Sequence, residues 1–199
     1  MQNQLTGVIL AGGKSLRMGY NKALLHLGNQ TIIQRVLASL KQVTSSQLIV
    51  TNFPEEYEFL NIPMKSDILS GKGAFGGIYT GLSASETPYC LVVACDMPFL
   101  NVDLLRYMTQ VVKEYDIVIP KHSKGYEPLC AIYAKSCMPH IEKLLKANQL
   151  RIIEVFSYVR VREISEAEIK SYDVDDLMFF NINTQEDYQH ALQIVKRKT

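Results

Sequence analysis

Short apolar runs alternate with amphipathic stretches along most of the chain. Four of these runs are rich in Val and Ile and have the length expected of strands covered on both faces, which is typical of a parallel sheet. They are residues 5–11, 47–51, 89–95 and 116–120. Residues 128–134 and 160–164 are predicted to be further strands.

Helical periodicity fills the intervals between these strands. In residues 31–42 the apolar positions fall on one stripe of a helix. Further helices are predicted over residues 78–85, 101–114, 136–148 and 184–197. Asn101 and Thr184 are suited to cap the amino ends of two of them. Since no repeat or linker interrupts the alternation, we predict one open, mostly parallel α/β sheet with helices on both faces.

Composition narrows the class of protein. The chain has 199 residues, of which 47% are hydrophobic and 21% charged, so it is long enough to fold as one domain around its own core. The formal net charge of +1 argues against a surface that coats nucleic acid. Because no apolar run approaches the roughly 18 residues that span a bilayer and no targeting pattern opens the chain, we expect a cytoplasmic protein without membrane contact.

The usual signatures of metal and nucleophile chemistry are missing from the sequence. The cysteines at positions 90, 95, 130 and 137 form no C-x-x-C pair and have no histidine at zinc-finger spacing, so we expect them to be small buried apolar residues. The histidines show no H-x-H or H-E-x-x-H spacing, and no G-x-S-x-G motif indicates a hydrolase.

The first predicted strand runs into a glycine-rich, basic loop, GVILAGGKSLRMGYNK, over residues 7–22. A nucleotide-binding P-loop would need glycine where Val8 stands, and the G-x-G-x-x-G fingerprint is missing as well. What remains is a loop in which Gly12 and the next glycine let backbone N–H groups approach a ligand, while Arg17 and Lys22 supply positive charge. A tight turn with solvated basic residues explains the loop equally well by itself.

Asp96 follows directly after a predicted strand in the sequence LVVACDMPFL. Ligands of open α/β sheets bind outside the carboxyl ends of the strands. Mg²⁺ is usually held there by one or two carboxylates together with substrate phosphates and water. Asp96 is therefore a candidate Mg²⁺ ligand, and a turn or helix-capping aspartate is the alternative.

Two other segments carry candidate binding residues. Asp67 precedes the glycines of SDILSGKGAFGGIYTGL, which is either a loop that leads into a helix pointing its N–H groups at a pocket or a flexible connector. Asn181 and Asn183, in FFNINTQEDY, share one face if this segment is extended. Their amide oxygens can bind a hard cation or its water, and a turn-and-cap role is an equally good explanation.

Four motifs together resemble the molybdenum cofactor guanylyltransferases. They are L-A-G-G-x-S-x-R-M-G-x-x-K at 10–22, D-M-P at 96–98, E-P-L-x-A-I-Y at 127–133 and N-I-N-T at 181–184. The first is shared by many nucleotidyltransferases, whereas the pairing of the second with the fourth is typical of the molybdopterin branch. The resemblance implies a single three-layer Rossmann-like nucleotidyltransferase domain over residues 1–199, with a nucleotide-binding part near 1–100 and an acceptor-binding part near 101–199.

The same resemblance implies transfer of GMP from GTP to the terminal phosphate of molybdopterin, with Mg²⁺ as cofactor. The residues it assigns to the nucleotide are Leu10, Ala11, Gly12, Lys22, Asn52, Asp67 and Asp96. Those it assigns to catalysis are Arg17, Lys22 and Asp96, of which Asp96 holds the metal. Those it assigns to the acceptor are Asn181 and Asn183. Since a phosphate nucleophile is already ionised at neutral pH, positioning and charge neutralisation suffice, and no catalytic His or Cys is required.

Other functions remain open at this point. The same fold could serve another nucleotide or acceptor, as in a molybdenum cofactor cytidylyltransferase or a sugar-phosphate nucleotidyltransferase, because backbone contacts to a base leave no trace in side-chain identity. A protein that binds GTP during cofactor assembly without catalysis would be a different functional class. Lys22 and Asp96, which the resemblance assigns to catalysis, argue against it. Apart from its small-molecule substrates, the expected partners are proteins of cofactor biosynthesis or molybdoenzyme maturation, contacted transiently.

Overall fold

One twisted sheet forms the middle of the protein. In the computed structural model, residues 5–12 and 21–198 are described. The strands within these ranges are β1 (Leu5–Leu10), β2 (His26–Leu27), β3 (Gln30–Thr31), β4 (Ser46–Val50), β5 (Met64–Lys65), β6 (Tyr89–Ala94), β7 (Ile117–His122), β8 (Gly125–Tyr126), β9 (Cys130–Ala134) and β10 (Val161–Ile164). The strands β2 and β3 form a separate antiparallel hairpin.

The order across the main sheet is β10-β7-β9-β6-β1-β4-β5, with β8 paired to β7. Strand β1 is parallel to both of its neighbours, β4 and β6, and β10 is parallel to β7. Strand β9 runs antiparallel between β6 and β7. The amino end of β9 therefore lies at the same edge as the carboxyl ends of the parallel strands. The predicted mostly parallel sheet is confirmed.

Helices cover both faces of this sheet. They are α1 (Ile32–Lys41), α2 (Gly73–Ala84), α3 (Val102–Val111), α4 (Met138–Lys146), α5 (Glu166–Tyr172) and α6 (Gln185–Lys198). The apolar sides of α1, α3 and α5 belong to one buried cluster, and those of α2 and α4 belong to another. Successive residues of a strand, such as Val92 and Val93, point into different clusters. This alternation is the period-2 pattern of a sheet that is buried on both faces. The three-layer architecture is confirmed.

The largest difference from the predicted elements is at α2, which begins at Gly73 and not at residue 78. Glycine disfavours a helix by about 1 kcal/mol relative to alanine, but here it permits close packing. A Cβ added at Gly77 would lie 3.2 Å from Cδ2 of Leu10, and one at Gly81 would lie 2.7 Å from Cγ1 of Val8. Tertiary contact with β1 thus overrides the local preference.

Other differences are smaller. Helix α5 was not predicted, although Ser165 and Glu168 form a capping box that the sequence displays. The short strands β2, β3, β5 and β8 were also missed. Strand β9 begins at Cys130, two residues later than predicted. The caps at Asn101 and Thr184 are confirmed, since each side chain accepts a backbone N–H from the first turn of its helix.

The remaining expectations concern membranes and cysteines. Across residues 5–12 and 21–198, none of the helices combines the length and the apolar character that crossing a bilayer requires. Cys90, Cys130 and Cys137 are buried free thiols, as expected. Cys95 is only partly buried and lines a cavity, because it directly follows the last residue of β6, at the edge of the sheet.

Candidate active site

A cavity of about 390 Å³ opens at the carboxyl edge of the sheet. The ends of β1, β4 and β6 form its floor, and the amino end of α2 forms one wall. The predicted site residues that line it are Leu10, Gly12, Lys22, Asp67, Asp96 and Asn181. Open α/β sheets bind ligands at this edge, so the sheet topology and the sequence motifs both indicate this cavity as the binding site.

Backbone hydrogen bonds fix the end of β1 beneath the cavity. The N–H of Ala11 donates to the Val50 carbonyl at 2.8 Å, and the Ala11 carbonyl accepts from Thr51 Oγ1 at 3.1 Å. The Leu10 carbonyl accepts from the N–H of Cys95 at 3.2 Å. Each carbonyl oxygen has two lone pairs, so both can accept a second hydrogen bond, whereas the Ala11 donor is already used.

Asn52 and Asp67 form a reciprocal pair beside Gly12. Asn52 Nδ2 donates to Asp67 Oδ2 at 2.9 Å, and the Asp67 N–H donates to Asn52 Oδ1 at 3.0 Å. A Cβ added at Gly12 would lie 3.7 Å from that same Oδ2. The pair therefore presents a carboxylate of fixed orientation to the part of the cavity next to Gly12.

Lys22 enters the cavity from a short 3-10 helix, Lys22–Leu24. Asn21 caps this turn, because its Oδ1 accepts from the Ala23 N–H at 3.0 Å, and its Nδ2 donates to the buried Tyr57 hydroxyl at 2.7 Å. The Lys22 ammonium donates to Asn183 Oδ1 at 3.1 Å. A cation from the first part of the chain is thereby joined to the predicted acceptor segment near its end.

Asp96 lies at the tip of β6 and faces the cavity. Burial raises the pKa of its carboxyl, and the nearby Lys22 ammonium opposes that rise. The Asp96 backbone carbonyl accepts from the N–H of Ile182 at 3.0 Å. This bond places the N-I-N-T segment directly against the strand-end carboxylate.

The segment 181–183 has the alternation that the sequence predicts. Ile182 is fully buried against Leu27 and Ile32, whereas Asn181 lines the cavity and Asn183 is exposed. Asn181 Nδ2 donates to the Phe179 carbonyl at 3.0 Å.

The start of α6 holds the far end of this segment. The N–H groups of Asn183 and Thr184 both donate to Asp187 Oδ2, at 2.9 and 2.8 Å. Burial alone would raise the pKa of Asp187, but these hydrogen bonds, one with Thr184 Oγ1 and the Lys22 charge hold it below its usual value. The carboxylate is therefore ionised and fixes the backbone on which Asn183 faces Lys22.

The amino end of α2 contributes backbone donors. Gly73, Ala74 and Gly77 line the cavity, and the residue before the helix, Lys72, makes no side-chain capping bond to it. First-turn N–H groups have no partner within a helix and carry partial positive charge, which favours anions. The Gly73 φ of +58° is a conformation that favours glycine.

The structure thus brings most of the predicted site residues together, directly or through one hydrogen bond. Ala11 is buried between Leu10 and Gly12, which both line the cavity, while Asn52 and Asn183 bind the lining residues Asp67 and Lys22. Arg17 lies outside the described residues. The sequence did not single out Asn21, Tyr57, Cys95 or Leu129, which also line the cavity. Only Asn21 gave a local signal, since asparagine before a helical turn is a typical cap.

A larger and more open groove of about 550 Å³ lies between α1, residues 98–103 and residues 172–177. Among the described residues that line it, none is one that the sequence assigns to a substrate. The smaller cavity is the candidate site because Leu10, Gly12, Lys22, Asp67, Asp96 and Asn181 line it, whereas none of these residues lines the larger groove.

A lysine and a carboxylate that meet at the carboxyl edge of a Rossmann-like sheet can hold a nucleoside triphosphate and neutralise charge at its phosphates. Direct transfer between phosphates requires only such positioning and charge neutralisation. The protein is a nucleotidyltransferase, and the comparisons below give the same class.

The comparisons with known proteins define the family. A family model described as MobA-like NTP transferase domain matches residues 7–161. A probable molybdenum cofactor guanylyltransferase of Pelotomaculum thermopropionicum is 40% identical over 188 residues, covering 94% of this chain and 92% of that protein. The molybdenum cofactor guanylyltransferase of Desulfosudis oleivorans is 37% identical over 194 residues, 96% of either chain.

A solved structure agrees with these relatives. The crystal structure of molybdopterin-guanine dinucleotide biosynthesis protein A from Archaeoglobus fulgidus matches with a TM-score of 0.82 and 26% identity, covering 96% of this chain and 99% of that one. The chain belongs to the MobA-like NTP transferases and, within them, to the molybdenum cofactor guanylyltransferase family.

The family generally uses a divalent metal ion with GTP. Within residues 5–12 and 21–198, no cluster of three or more His, Cys, Asp or Glu side chains could hold a metal ion by itself. A metal in this cavity would therefore need ligands from elsewhere, and substrate phosphates and water are the usual ones for Mg²⁺.

Proposed function

We propose that the protein transfers GMP from GTP to the terminal phosphate of molybdopterin and releases pyrophosphate. The observation that carries the proposal is the hydrogen bond from Lys22 to Asn183 beside Asp96. It joins the loop assigned to the nucleotide to the segment assigned to the acceptor, in the cavity where the two phosphates must meet.

The proposal divides one domain over residues 1–199 into two functional parts. The part near residues 1–100 carries the glycine turn, the Asn52–Asp67 pair and Asp96, and it would bind the nucleotide. The part near residues 101–199 carries Asn181 and Asn183 and would bind the acceptor. Both parts belong to the same sheet, because β9 hydrogen-bonds to β6 on one side and to β7 on the other.

Guanine recognition is proposed at the end of β1. The Watson–Crick edge of guanine has two neighbouring donors, N1–H and the 2-amino group, and the carbonyl of Leu10, a residue that lines the cavity, would accept from this edge. Gly12 leaves room for the ring to approach, and Asp67 and Asn52 lie beside it for the ribose. Another base would leave buried groups unpaired, at about 1–3 kcal/mol each.

The proposed metal is Mg²⁺ on Asp96. The donor set fits, because the cavity is lined by the Asp96 carboxylate and by Asn181, whose Oδ1 accepts no hydrogen bond from the described residues, while the other lining carboxylate, Asp67, is bound by Asn52. Such a small set of protein ligands, completed by phosphates and water, is how Mg²⁺ is usually held. When bound, the ion would neutralise part of the charge of the triphosphate.

The reaction needs two anions to approach each other. A terminal phosphate oxygen of the acceptor attacks the α-phosphorus, the bond from that phosphorus to the bridging oxygen breaks, and pyrophosphate leaves. The phosphate monoester is already largely ionised at neutral pH, since its second pKa is about 6. Lys22, Arg17 and the amino end of α2 would stabilise the charge that gathers around the α-phosphorus.

A direct assay tests the proposal. The protein is incubated with molybdopterin, Mg²⁺ and GTP, ATP or CTP in turn, and pyrophosphate and the dinucleotide product are measured. We expect product with GTP and at least fivefold weaker binding of ATP and CTP by calorimetry. A preference for CTP would make the protein a cytidylyltransferase, and GTP binding without pyrophosphate release would make it a binding protein that lacks this activity.

The proposed surroundings follow from the substrates. GTP is made in the cytoplasm, so we place the reaction there. The near-neutral net charge of +1 supports small-molecule substrates over nucleic acid. Proteins that deliver the acceptor or collect the product would contact the enzyme only transiently.

A further inference from the structure

Beyond Asp96, the same edge of the sheet carries a second cluster of polar and aromatic groups. His122 ends β7, Glu127 lies in the turn before β9, and Phe179 precedes the N-I-N-T segment. His122 Nε2 and Glu127 Oε1 are 2.7 Å apart, and the rings of His122 and Phe179 stack with centroids 5.4 Å apart and planes at 25°. Neither the sheet ladder nor the proposed phosphate chemistry uses these groups.

Hydrogen bonds assign the roles of the imidazole nitrogens. The backbone N–H of Lys124 donates to His122 Nδ1 at 3.1 Å, so Nδ1 is the acceptor and Nε2 carries the proton that it donates to Glu127. The imidazole is held on its other side by the Phe179 ring. The carboxylate of Glu127 is therefore oriented by an imidazole that the Lys124 N–H and the Phe179 ring hold in place.

Glu127 keeps acceptor capacity that its neighbours lack. Its side chain is 23% exposed, and Oε2 receives no hydrogen bond from the described residues. Glu163, a carboxylate on β10 next to β7, uses both oxygens, one with the Tyr126 hydroxyl and one with Lys121 at 2.9 Å. Oε2 of Glu127 is therefore available to accept a hydrogen bond from a ligand or from water.

The cluster borders the cavity described above. Leu129, two residues after Glu127, lines that cavity and accepts the Ala94 N–H through its carbonyl at 3.0 Å. The Phe179 carbonyl accepts from Asn181, which also lines the cavity. An acceptor whose phosphate lies beside Asp96 and Asn181 can therefore extend its other end toward Glu127 and Phe179.

The chemistry of the cluster fits one end of a pterin. A pterin is a 2-amino-4-oxo heterocycle, and its N3–H and 2-amino group form a pair of adjacent donors that matches the two oxygens of a carboxylate. Its flat ring also suits an aromatic neighbour. We propose that Glu127 accepts both donors of the acceptor's pterin ring and is the residue that makes the enzyme specific for a 2-amino heterocycle, with His122 as its positioning residue. This inference rests on the proposed function.

The test compares two ring systems in two proteins. The probes are 6-hydroxymethylpterin and 6-hydroxymethyllumazine, which differ in having an amino group or an oxygen at C2, and each is measured as a competitive inhibitor against molybdopterin. For the unaltered enzyme we expect the pterin to inhibit at least tenfold more tightly than the lumazine. In Glu127→Gln this preference should fall to threefold or less, because the amide offers only one acceptor and places a donor against the amino group.

Two controls separate specificity from damage. Glu163→Gln makes the same carboxylate-to-amide change in a group whose oxygens are already paired, and it should keep the full preference for the pterin. GTP affinity and the melting temperature should be unchanged in Glu127→Gln, while KM for molybdopterin rises and kcat stays within a few fold. A His122→Phe variant should lose part of the preference, because the carboxylate is no longer held in place.

The outcomes distinguish this inference from the proposed function. If the unaltered enzyme makes the dinucleotide but does not prefer the pterin, or if Glu127→Gln keeps the preference, Glu127 does not read the ring and the inference is overturned. If the unaltered enzyme transfers no GMP at all, the proposed function fails first. Direct binding of the two probes then shows whether Glu127 still selects a 2-amino heterocycle.

Discussion

Replacing Lys22 with methionine removes a charge from the centre of the cavity while keeping most of the side-chain length. Among residues 5–12 and 21–198, the hydrogen bond of the Lys22 ammonium is to Asn183 Oδ1 at 3.1 Å. During transfer it would face negative charge that gathers around the α-phosphorus, where a fixed donor stabilises the transition state more than the bound substrate. The variant should therefore lose kcat much more than it loses affinity for GTP.

The magnitude follows from these contacts. Loss of one preorganised donor to a developing anion typically lowers kcat by about 10²–10³. Of the contacts within the described residues, the variant loses this exposed hydrogen bond, and a typical protein hydrogen bond is worth about 0.5–1.5 kcal/mol. For a domain of this size, 1 kcal/mol shifts the melting temperature by roughly 2–4 °C, so Lys22→Met should melt within a few degrees of the unaltered protein.

The assay is steady-state pyrophosphate release at saturating GTP and acceptor, with thermal melting measured on the same samples. Lys146→Met is the matched control, because it removes an exposed lysine that pairs with Glu142 on α4 and should leave kcat unchanged. In Asn183→Ala the lysine keeps its charge and loses its anchor, so its kcat should fall less than in Lys22→Met. The double variant should be no slower than Lys22→Met alone, since both changes act through one group.

A loss of tenfold or less in kcat, together with a lowered melting temperature, would show that Lys22 is structural. Fully additive losses in the double variant would show that Asn183 acts on the reaction independently of the lysine.

Two further predictions concern carboxylates. Asp96→Asn should fold and melt normally, because burial disfavours the charged form of this group and raises its pKa. The variant should nevertheless lose most metal-dependent turnover. A normal kcat at saturating Mg²⁺ would refute the ligand role. Although burial would raise the pKa of Glu168, hydrogen bonds from Tyr107, Ser165 and Arg162 lower it from 4.5 to about 2. The ionised Glu168 side chain therefore adds about 1–2 kcal/mol to the free energy of unfolding above pH 4.5, and this contribution is lost as the pH falls toward 2. The difference in unfolding free energy from Glu168→Gln should shrink over that interval, and a constant difference would contradict the assignment.

The sheet could be predicted because buried parallel strands require continuous apolar runs, as in residues 8–10 and 90–94. Helix α2 could not be bounded in the same way, since its glycines disfavour a helix locally and are explained only by the close approach of Val8 and Leu10. Helix α5 displayed its capping box, but it has only seven residues, and Ile169 alone among them is buried. A periodic pattern needs more turns than that to be recognised.

The site divides along similar lines. Asp96 and Gly12 could be placed at one edge because both follow strands, and the carboxyl ends of parallel strands lie at the same edge of a sheet. The contact between Lys22 and Asn183 spans 161 positions and depends on the sheet order, which no local pattern encodes. Tyr57 was missed because it lies among short 3-10 turns without periodicity, and the bond from Ile182 to Asp96 involves backbone alone.

That backbone bond has a consequence for the protein during its synthesis. The strands that carry Leu10 and Asp96 are synthesised well before residue 182, and a domain generally folds as a unit. Until that residue emerges, the Asp96 carbonyl lacks its partner, and the ammonium of Lys22 lacks Asn183. A nascent chain therefore completes the site only after Ile182 and Asn183 have been synthesised.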